Sequence, residues 1–455
     1  MTYSPTPSDS TTFLMELDHR HLIHPHQTGA QRERCVFVRS KGCSVWDTAG
    51  REYLDVSGGG NWVAQVGHGR AELAEVAAKQ MTELAYYSSF FEFSNDKAVR
   101  LAERLAGLAP EGINKVFYSG GGSEGVDSAL KIARLYHYNR GATERSWIIG
   151  RNLGYHGASL GSGTVTGFPP MQQGVGPLLP HVERVSPPYP YRASELYGDA
   201  DPTDFLIDEL TATIERLGPG NVAAMIGEPM LGSGGVVAPP PGYWPRVRKL
   251  LSDNGILLIA DEVVTGYGRT GVWFDSARRG MQADIIVTAK GITSGYAPMG
   301  AILMSDEIGE TIAGEGAYFF HGHTYHGHPT AAAVALANLD IIEREGLVDR
   351  AGPIGSWFQA ALDPAAELPH VGDLRVEGAA ICLELVGDRD TKQPIMAGPA
   401  VLELRRRHGV LVRDYGPMMI LSPPLVMEQQ DIGRAADAVI EVLARVGPDG
   451  EPNAR

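Results

Sequence analysis

Cysteine is scarce in this 455-residue chain: Cys35, Cys43 and Cys382 are the only three, and their spacing matches no metal-binding pattern. So sparse and odd-numbered a set excludes a disulfide scaffold and reads as a protein of the reducing cytoplasm. Basic residues are outnumbered, 39 Lys and Arg against 54 Asp and Glu, for a formal net charge of −15. With no basic stripe to neutralise phosphates, a nucleic-acid partner is not expected. No apolar run approaches the ~20 residues that span a bilayer, so no membrane partner is expected either. The opening "MTYSPTPSDSTTF" lacks the basic flank and apolar stretch of a signal peptide. That opening and the closing "GPDGEPNAR" read as disordered tails. Internal repeats and long linkers are absent as well.

What remains is an ordinary globular composition, 43% hydrophobic and 20% charged, in a chain long enough for a large core and a second domain. Its middle alternates short apolar runs with helical stretches, the pattern of a mainly parallel sheet covered by helices. The expected strands are 115–119, 146–150, 222–227, 255–261, 284–289 and 300–305. The stretch "SEGVDSALKIARLYHY" carries apolar residues at helical spacing, and "TAAAVALANLDIIEREG" consists almost wholly of strong helix formers. Beyond Gly346 the texture changes. "GAAICLELV", "VLVRDYG" and "MMILSPPLVM" read as strands of a smaller mixed domain, closed by the helix "DIGRAADAVIEVLARV". The N-terminal hairpin in "SVWDTAGREYLDVSGG" is expected to join it.

Ligands of open α/β sheets bind beyond the carboxyl ends of the strands, and the unusual residues of this chain fall there in turn. "KVFYS" runs into "GGGSEG", "SWIIG" into "RNLGYHG", "VAAMIG" into Glu228, "GILLIA" into Asp261 and "DIIVTA" into Lys290. A glycine-rich turn opening a helix, with Ser123 beside it, is an anion cradle. Its spacing fits neither the P-loop nor the dinucleotide fingerprint, and one phosphate suffices to explain it. Asp261, ending an apolar strand, needs a positive partner, either an ion pair or a protonated ring nitrogen. Lys290 is either a surface lysine or an amine held out of water, with a lowered pKa, ready to form a Schiff base. A phosphate site, a ring-nitrogen partner and such a lysine together point to pyridoxal phosphate.

At these motifs the chain resembles the class III, or ω-, aminotransferases of fold type I. The likeness runs from about Asp18 to Met427 through "VFYSGGGSEGVDSALKIAR", "YHGAS", "GEPMLGSGGV", "LLIADEVVTGYGRTG", "TAKGITSGYAPMGA", "HGHTYHGHP" and "VLVRDYG…LSPPLVM". It implies an α/β fold: a large domain with a mainly parallel sheet sandwiched by helices, plus a small α+β domain from both chain ends. Residues 1–75 would be an N-terminal segment and part of the small domain, 76–345 the large cofactor-binding domain and 346–455 the C-terminal small domain. Lys290 and Asp261 are the catalytic pair by this likeness. Gly121, Gly122 and Ser123 would hold the phosphate, Tyr155 and Val263 would face the ring, with His156 and Glu228 in support. Thr324 would reach the phosphate from the partner subunit of a homodimer, dimers that could pair further into a tetramer. Arg413 matches the mobile arginine that receives substrate carboxylates. The histidines of "HGHTYHGH" and "DHRHLIHPH" then need no metal, and none is expected.

Relatives that act on glutamate-like substrates carry an acid after the "EP" motif; Ser233 stands at the matching position here. That departure points to a transaminase moving an amino group between an amine or ω-amino acid and a keto acid, pyruvate foremost, by ping-pong kinetics. Gly59 and Gly60 stand where amine-specific relatives often place a bulky pair, which implies a missing pocket wall. Phe90, Phe91 and Trp62 are the aromatic residues expected to line what remains, together with Tyr155. An aminomutase, racemase or decarboxylase on the same scaffold, a tailoring enzyme for a larger natural product or peptide carbonyl, and a non-catalytic cofactor-binding regulator are the competing readings.

Overall fold

In the computed structural model, residues 11–26 and 34–453 are described. Three strands open the chain: β1 (Phe37–Lys41), β2 (Ser44–Asp47) and β3 (Glu52–Asp55), paired as antiparallel neighbours. The central sheet has seven strands: β4 (Ile113–Ser119), β5 (Trp147–Arg151), β6 (Val182–Val185), β7 (Val222–Gly227), β8 (Leu257–Asp261), β9 (Ile285–Thr288) and β10 (Gly300–Ser305). Their order is β4-β10-β9-β8-β7-β5-β6. The third sheet holds β11 (Val371–Glu377), β12 (Ala380–Leu385), β14 (Arg413–Tyr415) and β15 (Met418–Leu421). Between them in sequence, β13 (Val410–Leu411) leaves that group and pairs in parallel with β3, so one small sheet draws on both chain ends.

The two faces of the central sheet follow from the two-residue period of a strand. Ile148, Ile226, Ile259, Val287 and Ile302 enter one hydrophobic cluster, with Val126, Ala129 and Ala133 of the helix Gly122–Asn139. Their neighbours Ile149, Met225, Leu258, Ile286 and Leu303 enter another, with Val334 and Leu339 of the helix Pro329–Arg344. Every residue of β7, β8 and β9 is buried. Strands apolar on both faces are stable only between two helical layers.

β10 alone runs antiparallel to its neighbours. A parallel neighbour needs a long crossover, and the short span from Ala289 to Met299 supplies only a 3-10 turn. Gly300 therefore lies opposite Ser119, and Ala301 opposite Thr288, which collects the ends of β4, β5, β7, β8 and β9 along one edge.

Several elements depart from the sequence expectation. β6 and β11 were not expected, since "HVERV" and "VGDLRVE" are too polar to read as strands. "VLVRDYG" is not one strand: it breaks at Val412, sending Arg413 into a different sheet from Val410. Thr11, Thr12 and Phe13 of the expected N-terminal tail begin a helix that runs to His21, and the C-terminal tail is pinned by a Val446–Pro452 bridge. Residues 1–10 and 454–455 of those tails lie outside the described residues.

A buried charge ties the third sheet to the turn after β6. Glu384 of β12, 0% exposed, pairs with Arg192 at 2.6 Å and Arg375 at 2.7 Å, and accepts the Tyr189 hydroxyl. Removing one partner of such a cluster strands the others unpaired in the interior. Glu384→Ala is expected to cost about 3 kcal/mol of stability in urea unfolding; a loss under about 1 kcal/mol would mean that the cluster contributes little.

Candidate active site

Lys290 follows β9 on the 3-10 turn Lys290–Ile292, at a left-handed φ of 47°. Such a conformation is costly for a residue with a side chain and persists only where the surroundings enforce it. Here Asn338 Nδ2 donates to the carbonyls of Gly291 (2.8 Å) and Ile292 (3.0 Å), clamping the turn from the helix behind. Burial brings the Lys290 pKa down to about 8; Asp261 opposes that shift and Arg413 reinforces it. An amine of that kind is nucleophilic near neutral pH.

Asp261 ends β8 and is 3% exposed. His156 Nδ1 donates to its Oδ2 at 2.8 Å, and the Val263 N–H donates to its Oδ1 at 3.1 Å. The buried His156 Nε2 has no hydrogen-bond partner among the described residues. Glu228, just past β7, accepts the N–H groups of Tyr155 (3.0 Å) and Gly232 (2.8 Å), and burial pushes its pKa up. Tyr155 and His156 are thus fixed from two sides, through a backbone N–H and an imidazole.

Beyond β4 the chain turns directly into the helix Gly122–Asn139, whose cap residue Gly121 offers no side-chain acceptor. The first N–H groups of an 18-residue helix consequently face outward uncapped. A Cβ on Gly122 would lie 3.1 Å from Val263, so glycine lets Val263 pack over the helix start. Ser123 Oγ accepts the Ala158 N–H at 3.2 Å, which joins the "YHG" loop to the same cradle.

Of these residues Tyr155 lines a neighbouring cavity of about 900 Å³. Gly60, Ser233, Arg413, Phe168, Met171, Met396 and Arg192 line it as well. Arg413 Nη1 donates to the Gly60 carbonyl and its Cζ lies 4.8 Å from the Tyr415 ring centroid. Among the described residues no carboxylate pairs with it.

Three expectations about the pocket need correction. Trp62 is 1% exposed and packs with Tyr189, Met230 and Val264 in a buried cluster, not on the cavity wall. Phe90 and Phe91 are 36% and 88% exposed, on a loop that packs against Gly322 at the surface. Gly59 lines a separate cavity of about 480 Å³, and only Gly60 borders both. Gly60 leaves its side of the cavity open, since a Cβ there would meet nothing within 4 Å, but its φ of 80° calls for glycine whatever the space. Thr324, expected to act on the partner subunit, is exposed in this chain, and the hydrogen bonds around it run to Tyr86, Ser89 and Ser128. Reading the sequence also missed Arg192 and Glu384 in the wall. A glutamate inside the apolar run "AICLEL" was the available signal.

The donor set fits pyridoxal phosphate. A poised amine suits its aldehyde, a buried carboxylate its ring nitrogen and an uncapped helix start its phosphate. Comparison with known proteins agrees. The Aminotransferase class-III family profile matches residues 27–443. The putrescine–pyruvate aminotransferase of Pseudomonas aeruginosa is 39% identical over 405 residues, covering 87% of this chain and 88% of that protein. An (S)-enantioselective omega-transaminase from Thermomicrobium roseum superposes with a TM-score of 0.91 at 38% identity, over 96% of this chain and 98% of that one. An amine transaminase from an uncultivated Pseudomonas species, solved in its PLP-bound form, gives 0.89 at 39% identity, over 92% and 97%.

The lowered pKa of Lys290 is measurable without turnover. Only the neutral amine acylates, so competitive labelling of the cofactor-free protein with acetic anhydride should rise through an inflection near pH 8. An inflection near that of a solvated lysine, about 10.4, would contradict the desolvated site.

Proposed function

This chain belongs to the class III aminotransferases, pyridoxal-phosphate-dependent enzymes of fold type I, and we propose that it moves an amino group from a bulky or extended amine to pyruvate. The observation that carries this reading is Arg413: it faces the cavity with no carboxylate partner among the described residues, and Ser233 lines the wall where an acidic gate would stand. An arginine so placed can grip a keto acid's carboxylate through two parallel N–H bonds. The putrescine–pyruvate relative adds support for pyruvate as acceptor.

Bound pyridoxal phosphate supplies the electron sink that makes a substrate Cα–H acidic. In our reading Gly121, Gly122 and Ser123 hold the phosphate, while Tyr155 and Val263 cover the two ring faces. Asp261 keeps a proton on the ring nitrogen, and His156 and Glu228 hold Asp261 and Tyr155 in place. Lys290 Nζ takes the Cα proton of the donor and returns it one position along. The donor leaves as a carbonyl compound before the keto acid enters, which gives ping-pong kinetics.

The cavity volume suits a ligand well beyond β-alanine in size. Its lining offers apolar contacts from Phe168, Met171 and Met396, while the charge of Arg192 is already taken by Glu195 and Glu384. An apolar extension of the amine therefore suits this wall better than a second charge. Exposed Tyr318, Phe320 and Tyr325, on the segment that carries Thr324, and exposed Phe91, beside the Phe90 that packs against Gly322, form a surface suited to a homodimer, across which Thr324 would complete the phosphate site. Three free thiols accord with a cytoplasmic enzyme.

Lys290→Ala should lower turnover by several orders of magnitude, because nucleophile and base disappear together. With pyruvate as acceptor, arylalkyl amines should exceed β-alanine in kcat/KM by about tenfold or more, each buried CH₂ contributing about 0.8 kcal/mol. A wild-type preference for the smallest donors would sink the open-pocket reading, and amine turnover that needs no keto acid would favour a mutase or decarboxylase. Sedimentation at working concentration should show a dimer; an active monomer would remove Thr324 from the site.

A further inference from the structure

The turn that carries Gly60 is built on a buried carboxylate. Asp55, at the end of β3 and 1% exposed, accepts the Ser57 N–H (2.9 Å), the Ser57 hydroxyl (2.6 Å) and the Gly59 N–H (2.6 Å). His68 Nε2 lies 2.8 Å from its other face. Ser57 Oγ in turn accepts the Gly60 N–H at 3.0 Å. Burial would raise the Asp55 pKa, but the bonds from His68, Ser57 and Gly59 outweigh it and hold the group ionised. Gly58, Gly59 and Gly60 follow at φ of 60°, 73° and 80°, a run of left-handed residues that only glycine adopts without strain. The turn is therefore shaped by its sequence and clamped by one carboxylate.

Arg413 meets this turn at one atom, the Gly60 carbonyl oxygen, to which its Nη1 donates. The two parts share a foundation. β3 and β13 pair in parallel with Asp55 opposite Leu411, and the Val56 N–H donates to the Leu411 carbonyl at 3.0 Å. Asp55 itself faces away from the main cavity, into the smaller one, so it has no contact with a substrate bound beside Arg413.

We infer that Asp55 is a positioning residue for carboxylate recognition: by shaping the Ser57–Gly60 turn it aims the Gly60 carbonyl, and that carbonyl orients the Arg413 guanidinium toward an incoming keto acid. The inference rests on the reading of Arg413 as the carboxylate receptor. One N–H of the guanidinium is spent on Gly60, and the others remain for a bidentate grip whose direction is set in advance. Substrates without a carboxylate make no use of this arrangement. Asp55 therefore governs discrimination between carboxylate-bearing and neutral carbonyl acceptors rather than the proton transfer itself.

The test compares pyruvate with propanal, a three-carbon carbonyl compound that carries no carboxylate, as acceptors for one common donor. In the holoenzyme, Asp55→Asn should raise the KM for pyruvate about five- to tenfold, with kcat and the KM for propanal changing less than about twofold. Calorimetric binding of propanoate, a carboxylate that cannot react, should weaken by the same factor. Ser57→Ala, which frees the Gly60 N–H but leaves the carboxylate, should shift both readouts in the same direction by less. It decides the matter if Asp55→Asn does not fold. Equal losses on both acceptors would mark Asp55 as merely structural and overturn the inference. Arg413→Ala, run in parallel, separates the two levels. If it distinguishes pyruvate from propanal while the turn variants do not, only the role of Asp55 falls; if it does not distinguish them, the carboxylate reading falls and takes the inference with it.

Discussion

A lysine amine held at the carboxyl edge of a sheet, after a strand with no charged side chain of its own, needs a compensating charge, and the rest of the site follows from that need. Lys290 leaves β9, every residue of which is buried, and loses much of its hydration. Each unit of pKa shift in such a group represents about 1.4 kcal/mol of differential stabilisation between its two forms. Asp261 on the adjacent β8 supplies the opposing charge, and that carboxylate, itself 3% exposed, takes hydrogen bonds from His156 and from a backbone N–H. The strained backbone at Lys290 needs the Asn338 clamp. The chemistry is thus supported by a chain of polar groups that reaches from the sheet edge into the helices behind it.

The same logic explains why much of the site was legible in the sequence. A charged residue ending an apolar run is costly unless it has a function or a partner, and Lys290, Asp261 and Glu228 all stand at such ends. The glycine cradle was legible because a helix that starts straight after a strand, with no Ser, Thr, Asp or Asn at its cap, leaves N–H groups for a ligand. The alternating clusters on either side of the central sheet follow from runs such as "VAAMIG" and "GILLIAD".

What was not legible depends on backbone direction and on long-range pairing. Trp62 reads as a pocket aromatic, but the left-handed turn before it sends the side chain into the interior. Phe90 and Phe91 read as a wall, yet within one chain they stand on the outer surface. The Arg192–Glu384–Arg375 cluster joins segments far apart in sequence, so no local pattern announces it. The break of "VLVRDYG" into two sheets was hidden for the same reason, although it is this break that brings Arg413 over the cavity.

Two layers of control emerge. In the proposed reading the sheet edge holds the group that reacts, and the seam between the N-terminal and C-terminal strands holds the groups that choose the substrate. Everything depends on Lys290 being the residue that meets the cofactor. The most direct measurement is borohydride reduction of the holoenzyme followed by proteolysis and mass spectrometry of the pyridoxyl-labelled peptide. The label should appear on Lys290 alone, in the peptide containing "TAKGITSGY". Label on another lysine, or no covalent label in a protein that retains its cofactor, would contradict the account.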